Sequence, residues 1–425
     1  MNSGIEPTPL SKSPLSKSPL SRSPLGRRSF VAGAGAAALL GAAGAGAPTA
    51  HAARATAPAA QGAGPAAQLA GIVEGNLPDF HPLLKDELRF PLAWGTSPVR
   101  DFRAWRRAAR AKVEEHLLVD RDHTPYEPVF GESDRVEADG YTRESVTLSL
   151  TRYERVRGSL LTPHGTGPFP AVLLLHDHGA KFDIGKEKLV RPRDDDARLA
   201  SAQAWADRYF SGRFVGDELA RRGYVVLALD ALGWGDRGPV TYEQQQALAS
   251  NFFNLGSSLA GLMAREDARA AGFLAGLDRV DRRRVAAVGF SMGAFRAWQT
   301  AALSDDVAAA ASVCWMTGLK EVMVPGNNIL RGQSSYCMLH PGLARHLDFP
   351  DVASIAAPKP SLFFHGAQDT LFPAEGVRVA HEKLHAVWRS RHAGEHLHTK
   401  VWPELGHVFT APQQDEVFTW LDAVL

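Results

Sequence analysis

The 425-residue chain is poor in cysteine, in excess charge and in long apolar runs. With only Cys314 and Cys337 it cannot be a disulfide scaffold. The two either pair or stay as separate buried thiols. The 47 basic residues nearly balance the 46 acidic ones, so nucleic acid and anionic membranes are not expected partners. No segment has the roughly 20 strongly apolar residues of a transmembrane helix, so no stable membrane anchor is expected.

The N-terminal segment has the features of an export signal. A basic, proline-spaced PLSKS repeat leads to Arg27 and Arg28, then to a weakly apolar Ala/Gly/Leu stretch and to Ala50-His51-Ala52. A basic region, an apolar region and a small-x-small site together predict cleavage after Ala52. The paired arginines resemble a twin-arginine signal. Residues 1–52 are therefore predicted to engage the twin-arginine translocase, and the mature protein is predicted to be secreted. Removal of their net charge of +4 would change the formal charge of the chain from +1 to −3.

Three further segments are predicted from composition and periodicity. Residues 53–75 are rich in Ala, Gly and Pro and indicate a flexible linker. Residues 76–135 are predicted to form an N-terminal helical extension, with helix over most of 80–120 and FRAWRRAARAKVEEHLL as its clearest stretch. Residues 136–425 are predicted to form a catalytic domain. It opens with two antiparallel strands over 144–162, where apolar and polar residues alternate.

From residue 170 onward, short apolar runs alternate with helical stretches. Strands that are apolar on both faces and separated by helices predict a mostly parallel, doubly wound α/β sheet with helices on both faces. The alternation is interrupted at 317–357, a stretch rich in Gly, Pro and Asn that predicts a cap or pocket-wall insertion. The predicted strands are AVLLL (171–175), YVVLAL (224–229), VAAVGF (285–290), VAAAASVCW (307–315), SLFF (361–364) and HTKVW (398–402).

The pentapeptide Gly289-Phe-Ser291-Met-Gly293 directly follows one predicted strand and precedes a predicted helix. A serine on so sharp a turn needs small neighbours two residues before and after it, which is the mechanical content of the G-x-S-x-G nucleophile elbow. The helix N-terminus and the Met292 amide favour negative charge developing beside the serine. The pattern therefore predicts Ser291 as a nucleophile rather than as part of a polar turn.

A serine nucleophile needs a base and an acid, which in this kind of fold follow in the order Ser, Asp, His. Asp369 follows the strand SLFF, and His407 follows the next strand. Both are predicted to lie with Ser291 at the carboxyl edge of the sheet, where such folds bind ligands. The competing candidates are Asp230 and Asp236, which precede the serine. His365 precedes Asp369 and is disfavoured for the same reason of chain order.

The turn after AVLLL, His176-Asp-His178-Gly-Ala180, is expected to supply a second backbone donor to an oxyanion. Either His178 or Ala180 could supply it. Three large residues that follow strand ends are candidates for the pocket wall, with ordinary packing as the alternative; they are Trp234, Trp315 and Met316.

Two patterns suggest a metal and are rejected. His176 and His178 lie two residues apart in a turn, but no third ligand accompanies them. His381-Glu-Lys-Leu-His385 matches the H-E-x-x-H zinc signature. It falls on an amphipathic helix for which no motif places a third ligand. No metal or organic cofactor is therefore expected.

Taken together, these motifs resemble the α/β-hydrolase superfamily, in particular its dienelactone hydrolase and acetyl xylan esterase-like branch. The resemblance covers about 130–425, and Ala294, where many relatives have glycine, is a departure from it. It implies that Ser291 is the nucleophile, Asp369 the acid and His407 the base. It rests on LLLHDHGAKFDIGKEK (173–188), VLALDALGWGDRG (226–238), GFSMG (289–293), CWMTG (314–318), DFPDVASIAAPKP (348–360), HGAQDTLFP (365–373) and GH (406–407).

The sequence is thus interpreted as an exported serine hydrolase that cleaves a carboxylic ester, either of a small molecule or linked to a polysaccharide. One alternative is an exported peptidase of the prolyl-oligopeptidase kind, although 53–135 is too short and too helical for a propeller domain. Another is a non-catalytic carbohydrate-binding protein on the same fold.

Replacing Arg27 and Arg28 by lysine should block export, because the translocase reads the arginine pair. Cell fractionation with N-terminal sequencing checks this, and the unmutated mature protein should begin at or near Ala53. Normal export of the double variant would exclude the twin-arginine route.

Overall fold

The computed structural model describes residues 71–73, 77–193, 195–327 and 336–425. The predicted signal (1–52) and almost all of the predicted linker lie outside them. The described residues belong to one compact unit. Their strands are β1 (Ile72–Val73), β2 (Leu77–Pro78), β3 (Val129–Phe130), β4 (Val136–Ala138), β5 (Tyr141–Ser149), β6 (Arg155–Pro163), β7 (Phe169–Leu175), β8 (Val225–Leu229), β9 (Val280–Phe290), β10 (Ala309–Val313), β11 (Ser361–Gly366) and β12 (Leu397–Trp402).

Helices alternate with these strands along the second half of the chain. Among the described residues, no helix has both the length and the apolar character needed to cross a membrane. The helices are α1 (His81–Glu87), α2 (Phe102–His116), α3 (Asp196–Tyr209), α4 (Val215–Arg221), α5 (Tyr242–Asn254), α6 (Leu259–Ala275), α7 (Met292–Leu303), α8 (Leu319–Val322), α9 (Phe349–Ala353), α10 (Ala374–Ser390) and α11 (Ala411–Val424).

In the described part of the chain, ten strands form one mixed sheet in the order β12-β11-β10-β9-β7-β8-β6-β5-β3, with β4 beside β5. The six strands from β7 to β12 are parallel, and the earlier ones pair antiparallel. The chain runs outward from β7 to β8 and then crosses back to β9 on the other side of β7. The predicted mostly parallel, doubly wound α/β sheet is confirmed. A reversal of strand order opens a crevice at the carboxyl ends of such strands.

The inner parallel strands are apolar on both faces, and each face packs against helices. In β7, Leu173 and Leu175 belong to one hydrophobic core, while Val172 and Leu174 belong to the other. The first core also contains buried side chains of α2, α6, α7 and α10, and the second those of α3, α4 and α11. Strand periodicity of two therefore divides one apolar run between two cores.

The segment before the sheet is only partly helical. The prediction of helix over most of 80–120 is wrong for 88–101, which contains Pro91, Gly95 and Pro98. Proline lacks the amide donor of a helix and glycine weakens one. In addition, β3 pairs with β5 of the main sheet, and Ile72–Val73, at the end of the predicted linker, pairs with β2.

Helix α2 is an integral part of the main core. The Asp101 side chain caps it by accepting from Ala104 N, and its buried residues Phe102, Trp105, Ala109 and Val113 form one stripe. The indole of Trp105 donates to Leu92 O at 2.7 Å. The sheet and its N-terminal extension thus share a core.

Trp105→Ala should lower the free energy of unfolding by about 3–5 kcal/mol, because it leaves a cavity and removes the donor to Leu92 O. Urea denaturation checks this, with the exposed Arg107→Ala on the same helix as control. Equal stability of the two variants would contradict the role of α2 in the core.

Candidate active site

Ser291 occupies a strained turn between β9 and α7. Its backbone has φ 55° and ψ −124°, a left-handed conformation that non-glycine residues rarely adopt. The Ser291 amide donates to Val313 O at 2.8 Å, which holds the turn against β10. This sharp turn places Ser291 at the carboxyl end of β9 and at the start of α7.

The two glycines of the pentapeptide are required by close backbone approach. A Cβ on Gly289 would lie 2.2 Å from the carbonyl carbon of Gly293, in the first turn of α7. A Cβ on Gly293 would lie 1.9 Å from Leu175 O, at the end of β7. The spacing of glycines around Ser291 therefore has the steric reason that the sequence predicts.

The structure brings Ser291, His407 and Asp369 into one hydrogen-bonded chain. His407 Nε2 lies 2.8 Å from Ser291 Oγ, and His407 Nδ1 lies 2.7 Å from Asp369 Oδ2. The serine hydroxyl can donate to Nε2 while Nδ1–H donates to the carboxylate. The three residues follow β9, β12 and β11, whose carboxyl ends share one edge of the sheet.

Asp369 is held as a buried anion. Its side chain is 1% exposed, and Oδ1 accepts from the Leu371 amide at 2.9 Å. Burial by itself would raise the pKa of Asp369, but the hydrogen bond and charge of His407 outweigh it, and the pKa lies below its usual value. A carboxylate in this state can orient the imidazole and stabilise its protonated form.

The competing acids, Asp230 and Asp236, bind basic side chains outside the triad. Asp230 accepts from both the amide and the Nζ of Lys186 at 2.7 Å, and Asp236 accepts from Lys186 and Arg198, also at 2.7 Å. Both carboxylates therefore neutralise buried or half-buried cations. His365 is fully buried, and burial lowers its pKa to about 3, so it is a poor proton acceptor.

The histidines of the 176–180 turn are structural. His176 Nδ1 donates to Asp177 O at 2.9 Å, and its Nε2 accepts from the Ala231 amide at 3.0 Å. His178 Nε2 donates to Gln245 at 2.7 Å, and its Nδ1 accepts from the Ala180 amide at 3.1 Å. Burial holds the pKa of His178 at about 4. Both rings are thus neutral and have partners on both nitrogens.

These hydrogen bonds distinguish between the two backbone amides of the turn that are candidate donors to an oxyanion, those of His178 and Ala180. The Ala180 amide is engaged by the His178 ring, whereas the described hydrogen bonds give the His178 amide no acceptor. The buried Lys188 ammonium donates to Asp177 O at 2.9 Å and to His178 O at 3.0 Å. A buried cation therefore fixes the carbonyls of the turn.

A cavity of about 180 Å³ lies beside Ser291 and His407. Trp315 lines it, as predicted for a pocket wall. Among the described residues, Trp234 and Met316 do not, so their proposed role in the pocket is wrong. Trp234 is fully buried, donates to His178 O at 3.1 Å and packs on Phe182, while Met316 lies in the core. Both side chains pack in the main hydrophobic core.

Sequence reasoning missed several residues of this site. Leu371 and Phe372 line the cavity and lie two and three residues after Asp369, a position that could have identified them. Tyr209 and Met338 come from α3 and the insertion, and no local pattern marks them. Cys314 lies close to Asp369 and His407; its burial and the charge of Asp369 raise the thiol pKa, and its Sγ donates to Val408 O at 3.6 Å.

Cys314 and Cys337 are both buried and form no disulfide with each other. The two expected alternatives for these residues are thereby resolved in favour of separate thiols.

The H-E-x-x-H match falls on α10 and does not assemble a metal site among the described residues. His385 Nε2 lies 2.8 Å from Thr399 Oγ1, and Glu382 pairs with Arg378 on the surface. Two other groups have ligand-like spacing: Cys314 with Asp369 and His407, and Glu187 with Asp230 and Asp236. In the second group the Lys186 ammonium contacts all three carboxylates at 2.7–2.9 Å.

Comparison with known proteins places this geometry in a family. The sequence pattern of the dienelactone hydrolase family matches residues 211–420, which include Ser291, Asp369 and His407. A protein of Bacillus subtilis (strain 168), named "Putative hydrolase YtaP", is 30% identical over 317 residues, which are 74% of this chain and 98% of that protein.

Solved esterase structures share the fold. One, described as a putative acetyl xylan esterase from Bacteroides fragilis NCTC 9343, aligns with a TM-score of 0.61 at 18% identity over 81% of this chain and 95% of its own. A glucuronoyl esterase from Solibacter usitatus aligns with a TM-score of 0.53 at 15% identity over 78% and 96%. The chain has an α/β-hydrolase fold and belongs to the dienelactone hydrolase family.

Proposed function

We propose that this hydrolase cleaves carboxylic esters through Ser291, His407 and Asp369. The observation that carries the proposal is the continuous hydrogen-bonded chain from Ser291 Oγ through both nitrogens of His407 to Asp369. Nucleophile, base and orienting acid within hydrogen-bond distance are the arrangement that acyl transfer requires. The esterase names of the structural relatives support an ester substrate, including one linked to carbohydrate.

The reaction proceeds in two halves. Ser291 Oγ bonds to the ester carbonyl carbon while its proton passes to His407 Nε2, and the carbonyl oxygen becomes an oxyanion. The bond to the alcohol oxygen then breaks, and His407 returns the proton to the leaving alkoxide. Water attacks the acyl-enzyme by the same path, and its proton passes through His407 to Ser291 Oγ as the acid leaves. Asp369 stays ionised throughout and stabilises the imidazolium.

Two backbone amides are proposed to bind the oxyanion. The Met292 amide belongs to the first turn of α7, where helical amides have no acceptor within the helix. The His178 amide is the second donor, because the Ala180 amide is already engaged. Lys188 donates to the carbonyls of Asp177 and His178 and so holds the backbone on both sides of this amide in place. Such preorganised donors stabilise charge that develops in the transition state.

We also propose that the protein is exported by the twin-arginine route and acts on an ester outside the cytoplasm. The support for this is the Arg27-Arg28 pair with its apolar stretch and small-x-small site. Hydrolysis of p-nitrophenyl esters beside aminoacyl anilides tests the reaction class; preference for anilides would favour a peptidase.

Ser291→Ala should abolish ester hydrolysis and labelling by a fluorophosphonate probe, because no other group supplies the attacking oxygen in this mechanism. Circular dichroism should show that the variant is folded. Undiminished labelling would place the nucleophile elsewhere.

Asp369→Asn should lower kcat on the order of 10⁴-fold, the loss found when the orienting carboxylate of a serine-protease triad is neutralised. Asp236→Asn is the matched control, because Asp236 contacts Lys186 and Arg198 instead. Steady-state kinetics on one ester compares the two. A small loss of kcat for Asp369→Asn together with a large loss for Asp236→Asn would place the acid in the loop that follows β8.

A further inference from the structure

A second, larger cavity lies next to the one at Ser291. Its volume is about 450 Å³, and it is bounded by the segment that carries α1 and by the insertion between β10 and β11. His81, Leu84 and Leu88 recur at three- or four-residue spacing in and directly after α1, so one face of this helix lines the cavity. Leu77 and Pro78 of β2 line it as well. The insertion contributes the opposite wall, as expected from the sequence.

The described wall of this second cavity is almost wholly apolar. Leu319, Val322 and Phe349 line it from the insertion side. Its polar members have partners within the protein: His81 Nδ1 lies 3.1 Å from Pro78 O, and Lys85 Nζ donates to Met323 O at 3.0 Å. An occupant would therefore exchange water for hydrocarbon contact, which favours an uncharged apolar group.

The two cavities share Trp315, Met338 and Phe372 as lining residues. The two cavities therefore adjoin at these side chains. Phe372 lies three residues after Asp369, and Met338 has the flexible, polarizable side chain that adapts to ligands. The cavity at Ser291, at about 180 Å³, is small beside the roughly 300–1,000 Å³ of typical ligand pockets. The larger cavity adds volume next to this small one.

We propose that the second cavity binds an apolar aryl or medium-chain alkyl substituent of the ester whose carbonyl reacts at Ser291. This inference rests on the proposed ester hydrolysis and specifies its substrate class. The substituent belongs either to the acid or to the alcohol, because both are joined to the reacting carbonyl group. The remaining part of the ester faces the smaller cavity.

Two substrate series separate the two sources of the substituent. One consists of ethyl esters from acetate to octanoate, and the other of acetate esters from ethanol to octanol, with acid release followed by pH-stat. In one series kcat/KM should rise about fourfold per methylene, corresponding to ~0.8 kcal/mol of buried CH₂. The series that rises identifies the part of the ester that enters the cavity.

The outcomes distinguish this inference from the proposed function. Turnover of short esters with no rise in either series would overturn the apolar subsite and leave ester hydrolysis intact. Absence of turnover on every ester of both series would overturn both.

Adjacent leucines on α1 provide a matched pair of variants. Leu84 is 49% exposed and lines the cavity; Leu83 is 68% exposed and is not among its described lining residues. Leu84→Asp should flatten the rise with chain length, because it places a carboxylate in the apolar wall, whereas Leu83→Asp should preserve it. Ala344→Phe, which narrows the cavity from the insertion side, should also flatten it. If kcat/KM rose equally with alkyl-chain length in all three variants and in the unmutated protein, the alkyl chain of the substrate would bind outside this cavity.

Discussion

The site depends on how closely the backbone of α7 approaches the end of β7. Gly293 stands so near Leu175 O that a single methyl group would separate the helix from the sheet. That contact holds the turn at Ser291 in its left-handed conformation and sets the first amides of α7 beside the turn that follows β7. Ser291 and the Met292 amide follow β9, and the His178 amide follows the neighbouring strand β7. The close contact between Gly293 and Leu175 O holds these two strand ends together.

Buried cations stabilise the loops around this contact. Lys188 is inaccessible to solvent and bonds to the carbonyls of Asp177 and His178. Lys186 joins three carboxylates, including Asp230 and Asp236, below the same loops. Removing the Lys186 ammonium would leave the buried carboxylates around it without a compensating charge, which is strongly destabilising. The sheet edge is therefore shaped by charges that take no part in the proposed reaction.

The N-terminal segment and the insertion add what the sheet lacks. The α/β core positions the reacting groups, and most of the described wall of the larger cavity comes from the α1 segment and the insertion after β10. Because α2 shares the main core, the segment that precedes the sheet is held against it rather than appended to it. In this arrangement the chemistry belongs to the core, while the proposed selectivity belongs to elements outside it.

The sequence by itself determined the alternation of strands and helices and the positions of Ser291, Asp369 and His407. Each follows a strand of the parallel part of the sheet, and the carboxyl ends of parallel strands meet at one edge whatever the intervening loops contain. Only the tertiary structure decided that Trp315 lines the cavity while Trp234 packs in the core, and that the Ala180 amide donates to the His178 ring. The physical reason is that a strand or turn is specified by neighbours along the chain. The environment of a large side chain or an amide depends on elements that are distant in sequence and meet only in the folded protein.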